Sequence, residues 1–196
     1  MGADMALCLA PGGDDYENPL SDLYALVWYV LTETANNVRQ HSHGVGYVAA
    51  QVNRSEGLVR LALADNGRGI LKSFQDAGLS WSLGMDDSAA IRRALESRVT
   101  SKGQPANEGV GLTLTSELVR QIHGWMIIVS GSGVLRIQAG AEAVSDVLPE
   151  GRRYEGTLVG MIFRQSDVRD FARLLHQAKM SSGLLQQGGN KIIFKP

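Results

Sequence analysis

From about residue 20 to residue 40, Leu23, Leu26, Val27, Val30, Leu31, Thr34 and Val38 return at spacings of three and four. That spacing lays one apolar stripe along a helix, with Ser21 or Asp22 placed to cap its start. The period then drops to two. Residues 45–53 and 58–64 read as strands joined by the turn Arg54-Ser55-Glu56-Gly57. Residues 71–81 are mixed, a loop with a helical piece, and Asp86 and Asp87 open a helix to Arg98, with acidic residues in the turn the helix dipole favours. Residues 99–108 are polar and broken by Gly103 and Pro105, hence a loop. Gly109 leads into a helix to about His123, with Gly124 as its C-terminal cap. Residues 125–130 and 134–138 read as strands around Gly131-Ser132-Gly133, residues 139–155 as an inserted loop, and Leu158 to Phe163 as a strand begun by Gly156-Thr157. Ser166 or Asp167 caps a last helix to about Lys179. Residues 5–10 fit a short strand or a helical turn, and the polar tail 181–196 ends with Ile192-Ile193-Phe194.

A length of 196 residues suits one domain with a full core. The reading is an extension over 1–19, a domain over 20–180 and a tail over 181–196. A net charge of -1 gives no excess of lysine and arginine, so a broad nucleic-acid surface is not expected. The single cysteine, Cys8, excludes an internal disulfide and a cysteine-cluster zinc site. No apolar run approaches the roughly 18 residues of a membrane span, and no basic leader precedes the short N-terminal apolar run. The expectation is a soluble cytoplasmic protein that binds neither nucleic acid nor membrane.

Three stretches carry candidate chemistry. Asp65-Asn66-Gly67-Arg68-Gly69-Ile70 follows a strand, so a carboxylate meets two glycines at a strand end. Backbone there can approach a ligand closely, and the carboxylate can accept from an amino group in a half-dry pocket. Glu33 and Asn37 lie four apart on one helix face. Two adjacent asparagines, Asn36 and Asn37, are poor helix formers and call for a reason. Gly109-Val110-Gly111-Leu112 opens a helix after a polar loop, an arrangement that offers free N–H groups to an anion. His41 and His43 do not share a face and have no third ligand type nearby, so a metal site there is not expected. Trp28, Trp81 and Trp125 read as core or lid packing.

The order and spacing of these stretches resemble the ATP-binding domain shared by gyrase, Hsp90, histidine kinases and MutL, the GHKL superfamily, over roughly residues 20–163. The resemblance implies an α+β fold of the Bergerat type, a two-layer α/β sandwich with a mixed, mostly antiparallel sheet and helices on one face. It implies ATP and Mg2+ as cofactors. Asn37 matches the asparagine that coordinates Mg2+, and Glu33 the acidic position that acts as general base. Asp65 matches the aspartate that accepts from the adenine amine, with Gly67 and Gly69 beside the purine. Gly109, Val110, Gly111 and Leu112 match the glycine-pair helix start beside the phosphates. Lys102 falls in the ATP lid, taken as about residues 71–108, and Thr157 matches the threonine near the adenine and the Asp65 water. No helical hairpin for a phosphoacceptor histidine precedes residue 20, so the small stand-alone type, such as anti-sigma serine kinases or STAS-associated ATPases, is the nearer likeness. The implied function is a signalling ATPase or protein kinase acting on a regulatory, STAS-like partner protein. The alternative is a nucleotide-gated protein-binding module without significant turnover.

Overall fold

The computed structural model describes residues 2–96 and 110–185. Strands β1 (Gly46–Asn53), β2 (Leu58–Asp65), β3 (Trp125–Gly131), β4 (Gly133–Gln138), β5 (Val144–Val147) and β6 (Tyr154–Arg164) form one sheet in the order β1-β2-β6-β3-β4-β5. Its pairings are all antiparallel, which narrows the mostly antiparallel sheet expected. The helices are α1 (Gly2–Leu9), α2 (Ser21–Asn37), α3 (Gly69–Asp76), α4 (Asp87–Ala94), α5 (Gly111–Gln121) and α6 (Phe171–Ser181).

Alternation along the strands sends one set of side chains under the helices. Val59, Leu61 and Leu63 of β2, Met126 and Ile128 of β3, and Val159, Met161 and Phe163 of β6 are buried. They share one core with Leu23, Leu26, Val27, Val30 and Leu31, the apolar stripe of α2, and with Leu118 and Ile122 of α5. The result is a two-layer α/β sandwich with its helices on one face. Because β2 and β6 are antiparallel, Ala64 pairs with Leu158, and β3 brings Ser130 opposite Thr157. The end of β2, the start of β6 and the end of β3 therefore meet at one edge of the central sheet.

Several expectations need correction. The N-cap of α2 is Leu20, without a side-chain bond. Asp22 instead accepts from the backbone N–H groups of Asp170 (2.7 Å) and Phe171 (2.8 Å), so it serves the first turn of α6. That helix is capped by Asp170, which accepts from Arg173 N at 3.0 Å, whereas Ser166 and Asp167 lie in the 3-10 turn Gln165–Asp167. The stretch over residues 5–10 takes the helical alternative, within Gly2–Leu9, and Ala6, Leu9 and Ala10 join the core. The left-handed residue after α5 is His123 (φ 50°), not Gly124. The expected loop over residues 139–155 contributes β5, paired to β4, and Arg92 of α4 reaches across to it, donating to Ser145 Oγ and the Ala143 carbonyl.

Within the stretch read as a lid, Phe74, Ala90 and Ile91 are buried, so α3 and α4 belong to the packed layer. Asp86 caps α4, accepting from Ala89 N at 2.7 Å. Asp87 accepts from Ser132 N and Ser132 Oγ, both at 2.9 Å, and pairs with Arg153, which fastens α4 to the β3–β4 turn. Trp81 packs edge-on to Phe74 with ring centroids 4.9 Å apart, as a packing role requires. Trp28 is 50% exposed and is not core. Among the described residues no helix is long and apolar enough to cross a membrane.

Candidate functional site

A cavity of about 320 Å³ opens where α2, the end of β2, α3, the start of α5 and β6 converge. Glu33, Asn37, Asp65, Gly69, Val110, Gly111, Leu112 and Thr157 all line it. Leu63, Ile70, Phe74 and Val159 supply apolar wall. Such a volume, with few convergent polar groups in an apolar surround, suits a small-molecule ligand. Gly67 does not line the cavity; a Cβ there would overlap the Ser42 carbonyl, so it packs the loop behind the wall. Lys102 and Gly109 lie outside the described residues.

At one end of the cavity stands Asp65, 5% exposed. Gly67 N donates to its carboxylate at 2.8 Å, and Thr157 N and the Ser42 hydroxyl donate as well. Burial raises its pKa above the ordinary carboxylate value, opposed by these three donors. The Tyr154 hydroxyl donates to the Asp65 carbonyl at 3.0 Å. Gly156 (φ 111°) presses so close that a Cβ would overlap that same carbonyl, and only glycine takes this backbone without strain. Ser130, 2% exposed, ties the next turn. Its Oγ accepts from Ile70 N at 2.9 Å, donates to the Gly156 carbonyl at 3.0 Å and lies 3.4 Å from Thr157 Oγ1. Gly69 (φ 75°) lets the chain pass beside it.

The wall between the two ends is a π turn. After Asn37 the helix widens over Val38–Ser42, and such widenings are frequent at functional sites. Arg68 holds this turn in place. Its backbone N–H donates to the Ser42 carbonyl at 2.9 Å, its Nε to the His41 carbonyl at 2.7 Å, and its guanidinium pairs with Asp76 at 2.9 Å. The Ser42 hydroxyl also accepts from Gly44 N at 2.8 Å.

At the other end, Glu33 and Asn37 face the start of α5. A Cβ on Gly111 would overlap Glu33 Oε2, so the carboxylate lies directly against the first residue of that helix. Burial pushes the Glu33 carboxyl up, and among the described residues no hydrogen bond opposes the shift. It also raises the neighbouring Tyr29 phenol, first through burial and then through the Glu33 charge. Among the described residues no cluster of three or more His, Cys, Asp or Glu could hold a metal by itself.

Ser42, Ser130 and Tyr154 were not singled out from sequence, and Arg68 was read only as part of the glycine motif. Their partners lie far along the chain. The one local signal was Ser130, a serine closing the apolar run Met126-Ile127-Ile128-Val129.

No protein-family model matches the chain, and no curated protein matches it. Among solved structures it is similar to the B-subunit of the DNA gyrase from Myxococcus xanthus, at 14% identity and a TM-score of 0.37, over 78% of this chain and 41% of that one. A likeness at that level assigns no role to any residue here; the fold rests on the strand order and packing described above.

Proposed function

We propose that the cavity binds Mg-ATP and that the chain acts as a GHKL-type ATPase or protein kinase. The γ-phosphoryl group would pass to water or to a serine of a regulatory, STAS-like partner protein. The observation that carries this reading is convergence: residues from separate segments, Glu33 and Asn37, Asp65, Gly111 and Thr157, line one cavity.

The residues present fit the cofactor. Asp65 offers a carboxylate to an amino group in a cavity that Leu63 and Phe74 also line. A helix start such as Val110-Gly111-Leu112 leaves its first N–H groups without intrahelical partners, which suits a phosphate. Mg2+ keeps several waters and leans on substrate phosphates, so a neutral amide oxygen from Asn37 suits it without a carboxylate cage. When bound, Mg2+ would neutralise charge on the phosphates. Glu33 takes the proton of the attacking hydroxyl as that oxygen bonds to the γ-phosphorus and ADP departs. Its raised pKa makes it a better base than an exposed glutamate.

Calorimetric titration with ADP and a non-hydrolysable ATP analogue, with and without Mg2+, tests the reading. Both ligands should bind, the analogue more tightly with Mg2+, and Asn37→Ala should erase that gain. Equal affinity in both conditions removes Asn37 from the metal. No binding of either ligand ends the reading.

A further inference from the structure

The hydroxyl of Ser130 has one proton and two lone pairs. Three partners surround it: Ile70 N at 2.9 Å, the Gly156 carbonyl at 3.0 Å and Thr157 Oγ1 at 3.4 Å. An amide N–H only donates, so Ile70 takes one lone pair. A carbonyl only accepts, so Gly156 takes the proton. That leaves the second lone pair for Thr157, so where the 3.4 Å contact is a hydrogen bond Thr157 is its donor. A Thr157 proton directed in this way leaves its oxygen only lone pairs for the cavity that Thr157 lines. Asp65, whose carboxylate is bonded by Thr157 N, is likewise an acceptor.

We propose that Ser130 is a specificity-determining positioning residue: by taking up the Thr157 hydroxyl proton it turns Thr157 into an acceptor, so the base subsite selects a purine bearing a 6-amino group over one bearing a 6-oxo group. The inference rests on the nucleotide reading above and adds a cause for its selectivity. Asp65 alone would favour an amino group. An unconstrained Thr157 hydroxyl could rotate and donate to a 6-oxo group, directly or through water, and recover part of the loss. Ser130, buried and held from both sides, withholds that option. The 6-oxo base then leaves acceptors facing an acceptor, the arrangement that discriminates most strongly between polar ligands.

The test compares ADP with inosine diphosphate, which differ at this position, in the wild-type protein, Ser130→Ala, Thr157→Val and the double variant. Wild type should prefer ADP. In Ser130→Ala the freed Thr157 proton should lower the ADP to inosine diphosphate ratio about fivefold to tenfold, the worth of one hydrogen bond, chiefly by tighter inosine diphosphate binding. On the Thr157→Val background the Ser130→Ala change should leave the ratio unmoved, because the group it acts through is gone. A purely structural role for Ser130 would weaken both ligands alike and persist in the double variant. Should Ser130→Ala fail to fold, Thr157→Val alone must still lower the preference for ADP, and an unchanged ratio there overturns the proposal. If wild type binds ADP but Ser130→Ala keeps the full ratio, the Ser130 assignment falls and the nucleotide reading stands. If wild type binds neither diphosphate, both fall.

Discussion

At the Asp65 end of the cavity the polar atoms are already paired. The carboxylate holds three donors, its carbonyl takes Tyr154, and Ser130 and Arg68 tie the following loop to β6 and to the π turn. At the Glu33 end the carboxyl is shifted by burial alone, and it lies against the first residue of α5. One end is a finished mould; the other is a set of groups whose partners would arrive with the ligand. A mould gives selectivity, because its groups cannot turn to suit a different base. A raised, unpaired carboxyl gives reactivity, because its proton affinity stays high. On the proposed reading, recognition and chemistry would be built by different physics at two ends of one cavity.

If that division is right, the two ends should fail differently. Glu33→Gln should produce the largest effect, lowering turnover roughly 10²- to 10⁴-fold while ADP affinity moves less than about threefold; steady-state phosphate release and calorimetry separate the two. In the wild type, turnover should climb with pH through the raised Glu33 pKa, since only the ionised carboxylate accepts a proton. Stability should run the other way. The folded chain holds the Glu33 proton more tightly than the unfolded one, so its stabilising share is complete below the ordinary value of 4.5 and is lost as pH rises through the raised folded value. Glu33→Gln should therefore raise the melting temperature at neutral pH, and the gain should fade toward pH 4.5. A melting temperature lowered by the same amount at every pH would sink the account of Glu33 as strained by burial.

Asp65→Asn comes next. It should weaken ADP binding about a hundredfold, the cost of losing hydrogen bonds to a charged group, with little change in the rate once ADP's triphosphate counterpart saturates the site. A fall in saturated turnover with unchanged affinity would erase the boundary between the two ends. Smallest is Arg68→Ala, which removes the side-chain bonds to His41 and Asp76. It should cost about 1–2 kcal/mol in urea unfolding and loosen ADP only in proportion. Unchanged stability would mean that the π turn holds itself.

What the sequence made legible follows the same line. The apolar stripe of α2, the β1–β2 hairpin and the helix from Gly111 were readable because each is a local period. Glu33 and Asn37 were readable because four-residue spacing alone puts them on one face. Ser130, Tyr154 and Asp22 were not, because each finds its partner across the fold; Asp22 serves a helix 148 residues downstream. Strand β5 was missed for a related reason: four residues are too few to show a period, and only β4 beside them makes them a strand.

The π turn has a consequence for insertions and deletions. A π turn carries one residue more than the α turn it replaces. Removing one residue from that turn would let it close to α spacing with the chain beyond it nearly in place, whereas removing one from the α-helix ahead of it would swing every side chain that follows by about 100° and carry the Ser42 hydroxyl off its aspartate. The turn thus holds one residue in reserve, and a one-residue deletion there should be easier to tolerate than the same deletion within Ser21–Asn37.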